Sequence, residues 1–191
     1  SAVNVPAVVH IAAGASSASF VIGSTPVQQK LIATITATAG ALAKSKTLTV
    51  NPAALASVKL QQSSMTGGAA QQGTVLLTGV APSGGLSVTL SSTNPAIQAP
   101  KEVFIPAGAA SGVFSLQAAV VAIRSSGLMV AQLDTLKKST SVSVNPPVIS
   151  SVVASRTTVV GGDVIDVTIR ITGPAPAAGT SVMLTSGNVA L

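Results

Sequence analysis

Residues 100–114 read PKEVFIPAGAASGVF, and residues 6–20 read PAVVHIAAGASSASF. Set one above the other, they share Pro6 with Pro100, Val9 with Val103 and Ile11 with Ile105. The run Ala13-Gly14-Ala15 recurs as Ala107-Gly108-Ala109, Ser17 as Ser111 and Phe20 as Phe114. Each copy has an apolar residue at every second position, then a small-residue turn containing Gly, then a second apolar segment. Alternation of that period is the mark of a strand with one buried face, and the Pro/Gly punctuation marks the turn that reverses it. The pattern predicts a β-hairpin, written twice at an offset of 94 residues.

Working outward, the same offset holds without a gap. Val50-Asn51-Pro52 meets Val144-Asn145-Pro146, and Gly67-Gly68 meets Gly161-Gly162. Thr78-Gly79-x-Ala81-Pro82 meets Thr172-Gly173-x-Ala175-Pro176, and Ser87-Val88-x-Leu90 meets Ser181-Val182-x-Leu184. Of the 97 positions that can be compared, 33 are identical. A bias toward Ala, Ser, Val and Gly raises such a count, but it does not keep Gly-Gly, Asn-Pro and Pro turns in one register. Within a period, alternating pairs predict half-buried strands at Val58/Leu60, Val75/Leu77, Val88/Leu90, Val103/Ile105, Phe114/Leu116, Met129/Ala131 and Val142/Val144. Gly67-Gly68, residues 82–85, Asn94-Pro95, residues 106–108 and residues 134–137 predict the turns between them. The repeat supports the inward face: Val75 and Leu77 become Ile169 and Ile171, while the intervening Leu76 becomes Arg170. About seven short strands per period, with no competing helical period, predict an all-β fold of tandem Greek-key immunoglobulin-like sandwiches.

The Gly-Gly ahead of the second strand, the Thr-Gly-x-Ala-Pro turn, the segment SVTLSSTNPA (87–96), the PAGA hairpin and the closing Val-Asn-Pro together resemble tandem bacterial immunoglobulin-like (Big-type) repeats. The resemblance spans essentially the whole chain. It implies a cell-surface or secreted bacterial protein in which such modules serve as stalks, spacers, adhesin segments or filament subunits. The chain lacks the disulfide, core Trp and corner Tyr of antibody-type domains, having no Cys, Trp or Tyr.

The Asn-Pro junctions divide the chain into three parts. Residues 53–146 are expected to be one complete sandwich, residues 1–52 the later strands of a preceding copy, and residues 147–191 the early strands of a following one. Ser1-Ala2-Val3, Pro95-Ala96-Ile97 and Val189-Ala190-Leu191 fall at one phase, so the chain reads as two periods and three residues, divided in the loop after the third strand. The incomplete parts are expected to be completed within a longer continuous polypeptide or, alternatively, by strand complementation between molecules. Proline at each junction fixes φ and holds its predecessor extended, which predicts stiff linkers and a linear array.

Composition narrows the function. The chain is 47% hydrophobic with a mean hydropathy of +0.65, yet only 7% charged. No apolar run reaches the roughly 18 residues of a membrane-spanning helix, and two per cent aromatics cannot supply the girdles of a membrane barrel. The net charge of +6 comes from ten Lys and Arg against four acids. These bases are scattered and unaccompanied by stacking aromatics, which argues against nucleic acid as a partner. His10 is the only imidazole and aligns with Phe104. Asp163 and Asp166, three apart, would point to opposite faces of a strand and make a poor pair for acid–base work or calcium. No serine has a base beside it to make it a nucleophile. The chain is read as a non-enzyme without metal or cofactor.

Two surface features remain as candidates. Lys30 matches Arg124 and Lys44 matches Lys138, so each period carries one cation before its sixth strand and another after the following turn. That basic stripe either protects strand edges or meets anionic cell-surface polysaccharide. On the sixth strand Leu128 and Val130 are expected to point outward beside the neutral segment 139–143, a candidate lateral contact. The expected function is a structural module of an extracellular fibre, stalk or surface layer, its partners being copies of itself or neighbouring repeats. The alternative is an adhesin or polysaccharide-binding segment.

Overall fold

The computed structural model describes residues 2–187. Ser1 and residues 188–191, where the phase of the repeat is read at the two ends, lie outside the described residues. The first part contributes β1 (Val3–Asn4), β2 (Gly23–Ser24), β3 (Leu31–Ala39) and β4 (Leu42–Val50). The centre contributes β5 (Leu55–Leu60), β6 (Ser64–Thr66), β7 (Ala70–Leu77), β8 (Leu86–Ser92) and β9 (Ile97–Gln98), followed by β10 (Glu102–Ile105), β11 (Ser111–Ala118), β12 (Ser125–Leu133) and β13 (Leu136–Asn145). The last part contributes β14 (Ile149–Ala154) and β15 (Val167–Ile171). There is no helix among the described residues.

In the centre, the alternation seen in the sequence becomes two sheets facing each other. One has the order β5-β7-β11-β9, the other β10-β8-β12-β13-β6, so the hairpin expected at residues 100–114 is not one: β10 pairs with β8 and β11 with β7, and the turn at 106–110 carries the chain from one sheet to the other. Strand β11 shows the pattern along its whole length, burying Phe114, Leu116 and Ala118 and turning Val113, Ser115 and Gln117 out. Val75 from the first sheet and Val88, Ile105, Met129, Val142 and Val144 from the second bury their side chains between the sheets. Each such Val, Ile or Met contributes about 1.5–3 kcal/mol relative to exposure. The chain crosses between sheets at its first edge: β5 pairs antiparallel with β7, whereas β6 pairs parallel with β13, Met65 opposite Val144.

Packing is close enough that glycine is required where strands meet side chains. A Cβ on Gly73 would lie 2.3 Å from the Phe114 ring, which sits directly across the β7–β11 ladder from it. The expected turn at residues 134–137 is tighter than the sequence suggests. Only Asp134 and Thr135 connect Leu133 to its partner Leu136. Asp134 takes a left-handed φ of 52°, a region a short polar side chain tolerates better than most.

The core does not extend into the flanking parts. Its cluster of buried hydrophobic residues runs from Leu55 to Val144, and outside it, among the described residues, Val3 and Val27 are the buried hydrophobics. Here the strands expected from repetition are incomplete. Residues 8–11, 17–22 and 180–186, equivalent to β10, most of β11 and β8, form no strand. The reason is pairing: a strand exists by virtue of its ladder, and these segments have no ladder partner among the described residues. Where the partner is present, the strand forms. Gly23–Ser24 is the last piece of the β11 equivalent and pairs with Val3–Asn4, as Gln117–Ala118 pairs with Ile97–Gln98.

Candidate functional site

The outer face of the five-stranded sheet is built by default from the alternation. Burying Val88 and Leu90 turns Ser87, Thr89 and Ser91 outward; burying Met129 and Ala131 does the same for Leu128, Val130 and Gln132. Leu128 stands opposite Ser141, and Val130 lies between Ser139 and Ser91. Leu128 is 43% exposed and Val130 half-buried, two residues apart on one strand and therefore about 7 Å from each other. Phe104 extends the same face at β10, its ring over Gly85, where a Cβ would be 2.5 Å away. The charges on this face are at its margins: Glu102 accepts a hydrogen bond from the Ser87 hydroxyl at 2.7 Å, and Lys137 stands opposite Gln132. A hydroxyl-rich, nearly uncharged sheet face with three apolar projections suits contact with another such face, since little charge has to be desolvated.

The basic positions are brought together less than the sequence implied. Arg124 directly precedes β12, and its guanidinium donates to the Ser143 hydroxyl at 3.4 Å. Lys138 stands opposite Ala131, seven residues along that strand, or about 24 Å from Arg124. Lys30 precedes β3 and Lys44 stands opposite Ala37, giving the same separation. All four are exposed, and neither hairpin gathers its two cations into a patch.

His10 is exposed and lies in a segment without strand structure. Asp163 and Asp166 are not on a strand, because β15 begins at Val167. Asp163 instead closes a turn, accepting from the Val160 amide at 3.2 Å and pairing with exposed Arg156 at 3.8 Å. The Asp166 amide donates to the Ser155 hydroxyl. Among the described residues no three His, Asp or Glu side chains come together as metal ligands would.

One side chain of consequence was visible in the sequence only as part of a turn. Asn94 is 1% exposed, between the β8–β9 connection and the end of the β12–β13 hairpin. Its Nδ2 donates to the carbonyls of Ser125 (3.1 Å) and Val142 (3.3 Å), and its Oδ1 accepts from the Ala96 amide (3.0 Å) and the Ser125 hydroxyl (2.7 Å). Gly127 makes room, since a Cβ there would lie 2.7 Å from the Asn94 amide nitrogen. The signal that could have found it is its recurrence as Asn188, at the repeat offset.

No family model matches the chain, and no curated protein matches it. Among solved structures, a similar one is the crystal structure of the S-layer protein SbsC domains 4 and 5, with 15% identity over 60% of this chain and a TM-score of 0.34. The match covers 65% of that structure, just under two thirds of its length.

Proposed function

We propose that this chain is a structural module of an extracellular bacterial fibre, stalk or surface layer, assembled from tandem immunoglobulin-like sandwiches of the Big type that repeat every 94 residues. In this reading, residues 53–146 are the complete sandwich and residues 1–52 and 147–191 are parts of its neighbours. The observation that carries it is a hydrogen-bond pattern that recurs at the same offset as the sequence. The pairs Leu31↔Val50 through Ala39↔Leu42 become Ser125↔Val144 through Leu133↔Leu136. The register shift between Leu55 and Ser57 recurs between Ile149 and Ser151. The Ala54 amide donates to the Thr78 hydroxyl at 3.0 Å, as Val148 does to Thr172. Left-handed backbone recurs at Gly14 and Gly108, Gly68 and Gly162, Gly85 and Gly179, and Gly40 and Asp134. Irregularities of this kind are set by local sequence, so their recurrence speaks for one architecture written repeatedly.

The immunoglobulin-like type is supported by two sheets of the observed strand order, with the consecutive strands β5 and β6 taking one edge of each. A mechanical role is supported by proline junctions and by hydroxyl-rich outer faces suited to packing. The function is then to set spacing and stiffness, with copies of the same module as partners. Immunogold labelling of intact cells, with electron microscopy of the native material, tests this. A fibre or sheet outside the cell built from this chain is expected. Dispersed protein inside the cell would overturn it.

A further inference from the structure

Two motifs are written twice in the sequence and read there only as turns: Gly67-Gly68 with Gly161-Gly162, and Thr78-Gly79-x-Ala81-Pro82 with Thr172-Gly173-x-Ala175-Pro176. The structure brings one copy of each together across the second Asn-Pro junction. A Cβ on Gly68 would lie 2.8 Å from Cδ of the Pro174 ring. A Cβ on Gly173 would lie 2.8 Å from the Gly67 carbonyl oxygen and 3.1 Å from the Thr66 methyl. We propose that Gly67-Gly68 is a socket for the Thr172-Gly173-Pro174 turn of the following unit, and that this contact fixes the angle between successive units. The proposal rests on the tandem-unit reading and deepens it by naming where the stiffness of the array resides.

The covalent linker alone leaves few ways to bend. Asn145 still belongs to the sheet: it stands opposite Thr66 in the parallel ladder of β13 with β6, and its carbonyl accepts from the Gly67 amide at 3.0 Å. Pro146 and Pro147 follow, each with φ fixed by its ring. At Val148 the next unit has begun. Its amide donates to the Thr172 hydroxyl at 3.0 Å, and its carbonyl accepts from the Thr172 amide at 2.9 Å. The soft dihedrals left between the units are chiefly the ψ angles of the two prolines. Turning either one would swing Thr172 and Gly173 relative to Gly67, where the backbones already approach as closely as glycine allows. Gly67 therefore serves both units at once, holding Asn145 through its amide and meeting Gly173 at its carbonyl. Domains of one chain move relative to each other unless an interface holds them, and this contact is such an interface.

The earlier junction is built from the equivalent segments. Residues 24–26, 50–53 and 78–80 correspond to 118–120, 144–147 and 172–174, and they border one another there. Across that junction Gln28 donates from Nε2 to the Ser83 carbonyl at 3.0 Å. A joint made from the same segments at each step gives every step the same bend and twist, which a regular fibre or lattice requires.

The chain has no cysteine, so spin labels go only where a cysteine is introduced. In the full 191-residue chain, Ser115→Cys on the outward face of β11 and Thr168→Cys on β15 place one label on each side of the second junction. Double electron–electron resonance on this pair should give one narrow distance peak. Gly173→Val drives a branched side chain against the Gly67 carbonyl, and Pro174→Ala withdraws the ring from Gly68. With either substitution the peak should lose its narrow form and spread to other distances. Gly173 lies outside the left-handed region, so its substitution loads the contact rather than the turn. A second pair, Val153→Cys with Thr168→Cys, stands face to face in the β14–β15 ladder and should keep its short separation in parent and variants alike. The unfolding midpoint of the central core should also stay where it is. A broad distribution in the parent would overturn the proposal, as would a narrow peak that neither substitution disturbs. A peak that spreads only when the second pair separates would assign the change to the hairpin and overturn the joint as well. A broad parent distribution beside a surface fibre in the native material removes the joint and leaves the function. A narrow one in a protein dispersed inside the cell removes the function and leaves the joint.

Discussion

Asn94 shows how a single side chain locks a connection to a sheet. Its amide makes four hydrogen bonds to a connection and two strands while 1% exposed. Asn94→Ala would leave the carbonyls of Ser125 and Val142 and the amide of Ala96 buried without those partners. At about 1–3 kcal/mol for an unsatisfied buried group, partly relieved by water, the expected cost is about 2–4 kcal/mol. Urea unfolding should show it as a lower midpoint at an unchanged slope. The same scale separates core from flank. Ile105 is fully buried, so Ile105→Ala should cost about 2–5 kcal/mol. Ile32 is 68% exposed, at the position that outward-facing Ser126 takes in the centre, so Ile32→Ala should stay within about 0.5 kcal/mol.

At the scale of elements, strands form where their partners are. The hairpins β3–β4 and β12–β13 both form because each carries its own ladder, whereas 180–186 and 8–11 form none. Residues 53–146 contain every strand of the two central sheets and the whole contiguous core. Expressed alone, this fragment should fold as a cooperative, monomeric all-β domain. A fragment of similar length begun at Val103 would separate β10, β11, β12 and β13 from β5, β7 and β8 and should lose most of its stability. Denaturant melts of the two fragments compare them directly, and equal stability would mean that the unit boundary lies elsewhere. The inward face of seven of the nine central strands is legible in the sequence, from Val58 to Val144, because period-2 alternation and burial are the same fact seen twice; β6 and β9, at three and two residues, are too short to show an alternation. The Asp134 turn was legible in position but not in length, since the strand ladder continues through residues that read as turn formers.

On the scale of the whole molecule, the proposed assembly would depend on the outer faces of the sandwich. If the outer face of the five-stranded sheet is a lateral contact, burying Leu128 and Val130 there should contribute on the order of 2–4 kcal/mol. Leu128→Lys with Val130→Lys should then disperse the assembly in electron micrographs, while circular dichroism shows the sandwich intact. Calcium should be irrelevant to stability. The described acids are scattered, Asp163 is engaged with Arg156, and hard cations need several oxygens at one place. The melting temperature should therefore be the same in excess EDTA and in millimolar calcium, and a rise of several degrees with calcium would contradict this. The sequence by itself determined the all-β class, the turns and the inward residues, because each depends on neighbours two or a few positions away. Only the tertiary structure decided what Asn94 does, how far apart Arg124 and Lys138 stand, and which strands of the flanking parts form. Those depend on distant segments meeting, and a ladder or a buried amide exists only when both partners are present in space.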